Sequence, residues 1–587
     1  MHPLPQSEPN GTTGVEPSIS NGSAILANAL GQRSHKLTVN AADFGVRTDG
    51  SDCTAAVRKA LEYCSRIRAH SLTFPKGRYV FQPRLAAEQY LFISNNDKGL
   101  RRIAFYLSEF SSFEIDGQGA DFVFQGLIVP FVVSRSSEIT IKNLTVDWAV
   151  PFHCEGRVVS RDAESIELAI SEEFPYRVVN GRFQSLGASA EGWRLRHLLE
   201  FDPLLGETAC GASDYYGVED KFSVVEIAPG RVRLNGPVAE PLPKEGNVIL
   251  LSDSRRLCPA FFVTDTVGFV MSDVSIFHAG AMGVIAQRSA DIQLKELRVV
   301  PPPGNKRVIS ATADATHFVS CRGRIELTDC TFRTQVDDAT NVHGVYTRIA
   351  SRPTMHSVVV QLVHPQQAGT QPFEAGHRLQ FVSRRTLART HEAVILAVAK
   401  LNDEYTILHF SDTLPADIRE HDAVLDLFWQ PSETIIRRCT VHGNRARGFL
   451  LSVTGRILVE GCRFHTPGAA ILLEGDANDW FEAGPVDDLT IRNNDFVCCN
   501  YGPWGKAAIQ ISPGIQDSCH HEPRYHHNVR IEHNQFEVFF PTLLDARDTN
   551  NLVFVGNQVI RSTAYPQKGG EAPPFIIEDC SSVQIMP

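Results

Sequence analysis

The densest cluster of chemically able side chains lies in Val308–Tyr346, VISATADATHFVSCRGRIELTDCTFRTQVDDATNVHGVY, which holds Asp314, His317, Arg322, Asp337, Asp338, Asn341 and His343. Asp337 follows Asp314 at an offset that recurs elsewhere in the chain as a repeat length. If that repeat is one coil of a stacked structure, equivalent positions lie about 4.8 Å apart. Asp314 and Asp337 then share a face, with Asp338 beside them. Three carboxylates so close repel, and at least one is expected to take a raised pKa and stay protonated near neutral pH. A neutral carboxylic acid beside ionised ones is the equipment of glycoside hydrolysis, in which one group protonates the leaving oxygen and another activates water. Adjacent strand residues point to opposite faces, so Asp337 and Asp338 can share a site only at a bend; Ala339–Gly344 offers one. Three acids also suit calcium, and a pair of aspartates is ordinarily a solvated turn. The His and Arg in this segment, where a calcium loop would carry more acids and carbonyls, weigh against the ion, so no metal is expected.

The element that positions these residues is a short repeated pattern: apolar, any, apolar, two of any kind, then a small, amide or apolar residue, any, apolar. It begins at Ile139, Phe269, Ile292, Ile325, Thr434, Ile457, Leu489, Val529 and Leu552. Copies starting at 269 and 292, at 434 and 457, and at 529 and 552 all share the offset that relates Asp314 to Asp337. Alternation inside each copy indicates a strand with one inward face, and the Asn or Cys at a fixed position marks a bend where Asn can supply left-handed backbone and stack in ladders. Units of this length stacked on their neighbours predict an all-β, right-handed parallel β-helix; an antiparallel sandwich is the alternative that the regular spacing and repeated bend oppose. Two gaps exceed one coil, from 139 to 269 and from 325 to 434, and each is strand-like and turn-rich enough for a small β-barrel. The domain reading is a disordered lead over 1–36, the N-terminal part of the β-helix over 37–150, an inserted barrel over 151–256, the catalytic coils over 257–346, a second barrel over 347–431 and the C-terminal coils over 432–587. Asp52–Ile67 has a helical pattern with Ala56, Ala60, Leu61 and Cys64 on one face, suited to capping the open end of the stack.

Composition bounds the partners. The 587 residues carry 56 Lys and Arg against 67 Asp and Glu, a net charge of −11. That balance opposes a nucleic-acid backbone, which needs clustered cations, and accords with a neutral substrate such as a sugar. No 18-residue apolar run is present, so membrane insertion is not expected. The 13 Cys include no CxxC pair and read as buried small hydrophobes rather than a disulfide framework.

Four segments, MGVIAQRSADI (282–292), VISATADATHFVSCRG (308–323), VDDATNVHG (336–344) and ILLEGDANDWFEAGP (471–485), resemble those of glycoside hydrolase family 110, and LTVDWAVPF (144–152) also fits. This is the α-1,3-galactosidase family, known for removing the terminal galactose of blood group B structures, and the likeness covers most of 40–587. The resemblance implies a β-helix with inserted β-barrels, no cofactor, inversion at the anomeric carbon, and a glycan partner with terminal α-galactose, either blood group B or linear galactosyl-α-1,3-galactose. The family's acidic motif falls on Asp314, Asp337 and Asp338. Their arrangement is also similar to the three-aspartate site of the polygalacturonases, and that analogy makes Asp337 the general acid, with Asp314 and Asp338 holding the water. An inverting pair keeps its carboxyls about 6.5–9.5 Å apart, so stacked acids must diverge or pair differently. Around them, Trp480 is a candidate to stack on the sugar, with core packing its ordinary alternative. Glu474, Asp476 and Glu482 are candidate acceptors for hydroxyls, and Arg322 and His343 candidate donors. His317 and Trp429 read as structural, and Asp147 and Trp148 could reach the same face. A polysaccharide lyase and a non-catalytic carbohydrate-binding β-helix are the rival functions. Oligomeric state, including a homo-oligomer, stays open. No signal peptide is visible, yet such glycans are met outside cells, so a periplasmic or extracellular location is expected, with the cytoplasm as the alternative.

Overall fold

The structure, a computed structural model, describes residues 37–587 apart from 188–191, 305–306, 517–522, 567–571 and 587; the lead over 1–36 lies outside the described residues. The nine repeat copies stack as a parallel ladder, with Ile139, Phe269, Ile292, Ile325, Thr434, Ile457, Leu489, Val529 and Leu552 paired in succession. Further rungs extend it: below Ile139 lies Phe113, whose strand pairs through Ile115 with Leu72 and then Val39, and above Leu552 lies Val583. Each rung turns alternate aliphatic and aromatic side chains inward, so all coils share one continuous hydrophobic core.

After the first strand of each coil the chain bends, and a second parallel ladder follows. The bend has a uniform construction. The residue before each marked position is left-handed: Asn143, Asp273, Glu296, Asp329, Arg438, Gly461, Asn493, His533 and Gly556. The marked residue itself points inward. The expected left-handed Asn is thus one place earlier than the ladder Asn, and the two tasks fall to adjacent residues. Inside, Asn494, Asn534 and Asn557 form an amide ladder in which Asn534 Nδ2 donates to Asn557 Oδ1 (2.9 Å) and Asn494 Nδ2 to Asn534 Oδ1 (2.9 Å). Cys462 N–H donates to Asn494 Oδ1 at 2.8 Å, and Cys439 and Cys330 continue the column. Cys330, Cys439 and Cys462 are buried free thiols packed in the core.

A third parallel ladder closes each coil, running through Val129–Ser134, Phe261–Thr264, Val284–Gln287, Thr316–Val319, Thr340–His343, Phe449–Ser452 and Ile471–Leu473. The two inserts leave the stack on either side of this ladder. The first departs from the turn before it and forms an antiparallel eight-stranded sheet between Cys154–Arg161 and Val248–Ser252, around its own core. The second departs after it, where the strand Thr340–Thr354 continues outward into a six-stranded barrel that Ala423–Asp426 closes by pairing back onto Tyr346–Arg348. At the N-terminal end the helix Thr54–Ile67 starts after Cys53, with Asp52 Oδ1 accepting from Thr54 N–H, and ends at a left-handed Arg68. It buries Val57, Ala60, Leu61 and Cys64 in the β-helix core, with Ala56 at the margin. Among the described residues no helix is long and apolar enough to cross a membrane.

Candidate active site

The three aspartates occupy the turn that leads into the third ladder, on adjacent coils. The register there is 24 and not 23, because Thr316 pairs with Thr340. Ala315 N–H donates to Asp338 O (3.0 Å) and Asp338 N–H to Asp314 Oδ1 (3.2 Å), so Asp338, not Asp337, stands over Asp314. The next coil follows at an offset of 109, with Thr340 paired to Phe449 and Val336 bridged to Arg445. That offset sets Arg447 over Asp338. One oxygen of each aspartate lies within 4.8 Å of the others.

Their surroundings differ. Asp337 is clamped between two guanidinium groups, its Oδ2 accepting from Arg256 Nη2 (2.6 Å) and its Oδ1 from Arg445 Nη1 (3.1 Å). Asp338 accepts from Arg447 through Nε (2.9 Å), Nη2 (2.8 Å) and the backbone N–H (3.1 Å). Burial pushes its carboxyl up, to about 7, against that fork, which occupies both oxygens as acceptors and suits the carboxylate form. Asp314 bonds to no cation among the described residues. Burial first, and then the charge of Asp337, raise its carboxyl to about 8. Its Oδ2 meets His317 Nδ1 at 2.5 Å. The expectation that one of the three stays protonated near neutral pH therefore falls on Asp314, and Asp337 sits in the setting least suited to the general acid expected of it. Three aspartate oxygens this close are also a possible cation cage, but two of the carboxylates are already neutralised by three arginines.

The cleft above them has a volume of about 610 Å³, within the ~300–1,000 Å³ range of small-ligand sites. Asp314, Asp337, Asp338, Glu474, Asp476, Trp480 and Glu482 all line it. Glu482 accepts from Asn95 Nδ2 (2.8 Å) and Asn341 Nδ2 (3.0 Å). Burial opposes its charge, but the Asn341 amide and the charge of Arg447 favour it, and its carboxyl is held below the usual carboxylate range. Glu474 is raised to about 7, chiefly by burial. Asp476 is turned toward its own loop, accepting the N–H groups of Asn478 (2.7 Å), Asp479 (2.9 Å) and Trp480 (2.6 Å), so it shapes the turn that presents the indole. Trp480 is 39% exposed, backed by His364 (ring centroids 4.4 Å apart) and by Arg256. It is a platform facing the cleft, not a core residue.

Two expected donors are elsewhere. Arg322 lies over the rings of Phe428 and Trp429 at 4.9 and 6.0 Å, away from the cleft, because it opens the first-ladder strand Arg322–Thr328 at another corner. His343 is buried behind the wall, its Nε2 2.9 Å from His317 Nε2. His317, read as structural, lines the cleft, as does His197. Asp147 is paired with Arg307 and Trp148 is buried, so neither reaches the site.

Sequence reasoning missed Arg256, Arg445, Arg447, Asn95, Tyr216 and Trp504, all of which line the cleft. Arg445 is held by the first insert: its Nε donates to Asp214 Oδ2 (2.9 Å), and its guanidinium lies over Tyr216 and Trp504 at 5.4 and 5.6 Å. Asp214 Oδ1 bonds to His197 Nε2 at 2.7 Å. For Arg447 a signal was present. The offset that carries Ile325 to Thr434, applied to Asp338, lands on it.

A buried aspartate beside two arginine-paired ones, in a sugar-sized cleft on a parallel β-helix, fits a class, the β-helix glycoside hydrolases. Family models match in three places: GLAA-B beta-barrel domain I over residues 154–249, GLAA-B beta-barrel domain II over 357–424, and a right handed beta helix region over 425–570. The chain is 40% identical to alpha-1,3-galactosidase A of Shewanella woodyi, across 95% of this chain and 91% of that one. It is 31% identical to alpha-1,3-galactosidase B of Bacteroides thetaiotaomicron, across 93% and 90%. The chain belongs to the α-1,3-galactosidase family, glycoside hydrolase family 110.

Proposed function

We propose that the protein removes terminal α-1,3-linked galactose from glycans of the blood group B or linear galactosyl-α-1,3-galactose type, with inversion at the anomeric carbon. The substrate reading is supported by the relatives' names as α-1,3-galactosidases A and B. The observation that carries the mechanism is the unequal treatment of the aspartates. Asp314, raised to about 8 and bonded to no cation among the described residues, is the general acid that protonates the departing glycosidic oxygen. Asp337 and Asp338, each fixed by arginine, hold the attacking water, and Asp337 takes its proton as the C–O bond breaks. This exchanges the roles that the polygalacturonase analogy assigns to Asp314 and Asp337. Trp480 offers a face to the galactose ring and Glu482 an ionised acceptor for its hydroxyls.

The close approach of the three carboxyl oxygens, within 4.8 Å, favours a second reading, since retaining pairs stand at about 5–5.5 Å and inverting pairs at about 6.5–9.5 Å. An NMR time course on galactosyl-α-1,3-galactose separates the two. β-Galactose appearing first supports inversion. α-Galactose appearing first means retention, with an aspartate as nucleophile. Asp314→Asn and Asp337→Asn are each expected to lower kcat by about 10²–10⁴-fold; full turnover in either would remove that residue from the mechanism.

A further inference from the structure

A buried chain of hydrogen bonds runs away from the cleft behind Asp314. Asp314 Oδ2 meets His317 Nδ1 (2.5 Å), His317 Nε2 meets His343 Nε2 (2.9 Å), and His343 Nδ1 meets the Gly344 carbonyl oxygen (2.6 Å). The far end settles the direction of every bond in the chain. A carbonyl oxygen only accepts, so His343 carries its proton on Nδ1. A neutral His343 then presents a lone pair at Nε2, and His317 must donate to it from its own Nε2. A neutral His317 in turn presents a lone pair at Nδ1, and the bond to Asp314 requires the proton to sit on the Asp314 carboxyl. An ionised Asp314 would face that lone pair across the same short distance. Both rings are buried, which lowers their basicity and keeps them neutral: His317 is lowered to about 4, and His343 is lowered as well.

We propose that His343 and His317 form a tautomer lock, anchored on the Gly344 carbonyl, that keeps Asp314 in its acid form and orients it. His343 is then a positioning residue for the reaction, two hydrogen bonds removed from the acid. The proposal rests on the reading of Asp314 as general acid. The other charged groups that face Asp314 are Asp337, Asp338, Glu482, Arg256 and Arg447. Glu482 lies 3.6 Å from His343 Nε2, outside hydrogen-bonding reach, and takes its own bonds from Asn95 and Asn341. His343→Gln removes none of these five groups.

The test is His343→Gln. A glutamine amide can donate to His317 Nε2, which frees His317 to carry its proton on Nδ1 and to donate to an ionised Asp314. The alkaline limb of kcat/KM on galactosyl-α-1,3-galactose is expected to move down by about one to two pH units, the shift of one hydrogen bond to a charged carboxylate. Turnover of 2,4-dinitrophenyl α-galactoside, whose leaving group needs no proton, should fall far less at the same pH. A merely structural role would lower both substrates together and leave the limb where it was, and that result overturns the lock. Asp314→Asn is the control: it should lose the disaccharide and retain the aryl galactoside, and if it keeps the disaccharide the acid assignment itself fails. Should His343→Gln not fold, ¹⁵N shifts of labelled histidines in the wild type decide instead. The lock requires His343 protonated at Nδ1 and His317 at Nε2, and the reverse pattern for either ring overturns it.

Discussion

Placed on adjacent coils, Asp314 and Asp337 meet opposite neighbours, a neutral histidine for the first and two arginines for the second. The difference bears on stability as well as on chemistry. Asp314 is raised from 3.8 to about 8 in the folded chain, which therefore binds one more proton than the unfolded chain between those values. Its contribution to stability is fully present below about pH 3.8 and is lost as the pH rises toward 8, a change on the order of 4 kcal/mol by pH 7. Asn at this position keeps a donor for His317 and an acceptor for Asp338 N–H but cannot ionise. Asp314→Asn is thus expected to melt above the wild type at pH 8, with the gap closing toward pH 4, as calorimetry across that range would show. At this scale the acids were legible and their partners were not. Residues 314, 337 and 338 stand close together in the chain, while Arg256 and Arg445 reach them only through an insert and a later coil. The repeat arithmetic also paired the wrong aspartate with Asp314, because coil length varies by a residue at the turns even where the strands keep register.

The coils themselves were legible because their two signals repeat independently, the inward alternation of each strand and the Asn or Cys column at its bend. The copies at Phe113 and Val583 escaped notice for local reasons. The first carries extra residues at its bend, between Asp116 and Ala120, and the last begins beyond a stretch without the pattern. The amide column is the element's main polar support. Asn534 accepts the Asn494 backbone N–H (3.0 Å) and its Nδ2 (2.9 Å), and donates to Ile491 O (3.0 Å) and Asn557 Oδ1. Asn534→Ala leaves these buried groups without partners and is expected to destabilise the C-terminal coils by about 2–4 kcal/mol. Denaturant unfolding would register it; a loss below ~0.5 kcal/mol would mean that the column is ornamental.

Across the whole molecule, the site is assembled from the stack and both inserts. The second insert delivers His364 behind Trp480, and the first delivers Tyr216 and Asp214 to Arg445, which in turn grips Asp337. Asp214→Ala leaves Arg445 free to swing from the base and is expected to lower kcat about tenfold, or roughly 1.4 kcal/mol of transition-state stabilisation. Steady-state kinetics with KM and kcat separated would check it, and an unchanged kcat would reduce the first insert to a wall. None of this cross-talk was readable from spacing, since an insert has its own register and its residues fall outside the repeat.

The corners from which the inserts depart have a further consequence for how such a chain comes together. Ile139 and Phe269 lie on neighbouring rungs although the whole first insert separates them in sequence, and Ile325 and Thr434 do so across the second. Closing a flexible loop costs entropy that grows only with the logarithm of its length, so the longer excursion adds about 1.5 kcal/mol over an uninterrupted coil. A rung that is held by its own core and ladder can bear that, and the chain resumes its place as if nothing had intervened. The two corners beside the third ladder are accordingly grafting points. Exchanging what departs from them would reshape the walls over an unchanged set of aspartates, and a scaffold of this kind can change the glycan it admits without rebuilding the chemistry beneath.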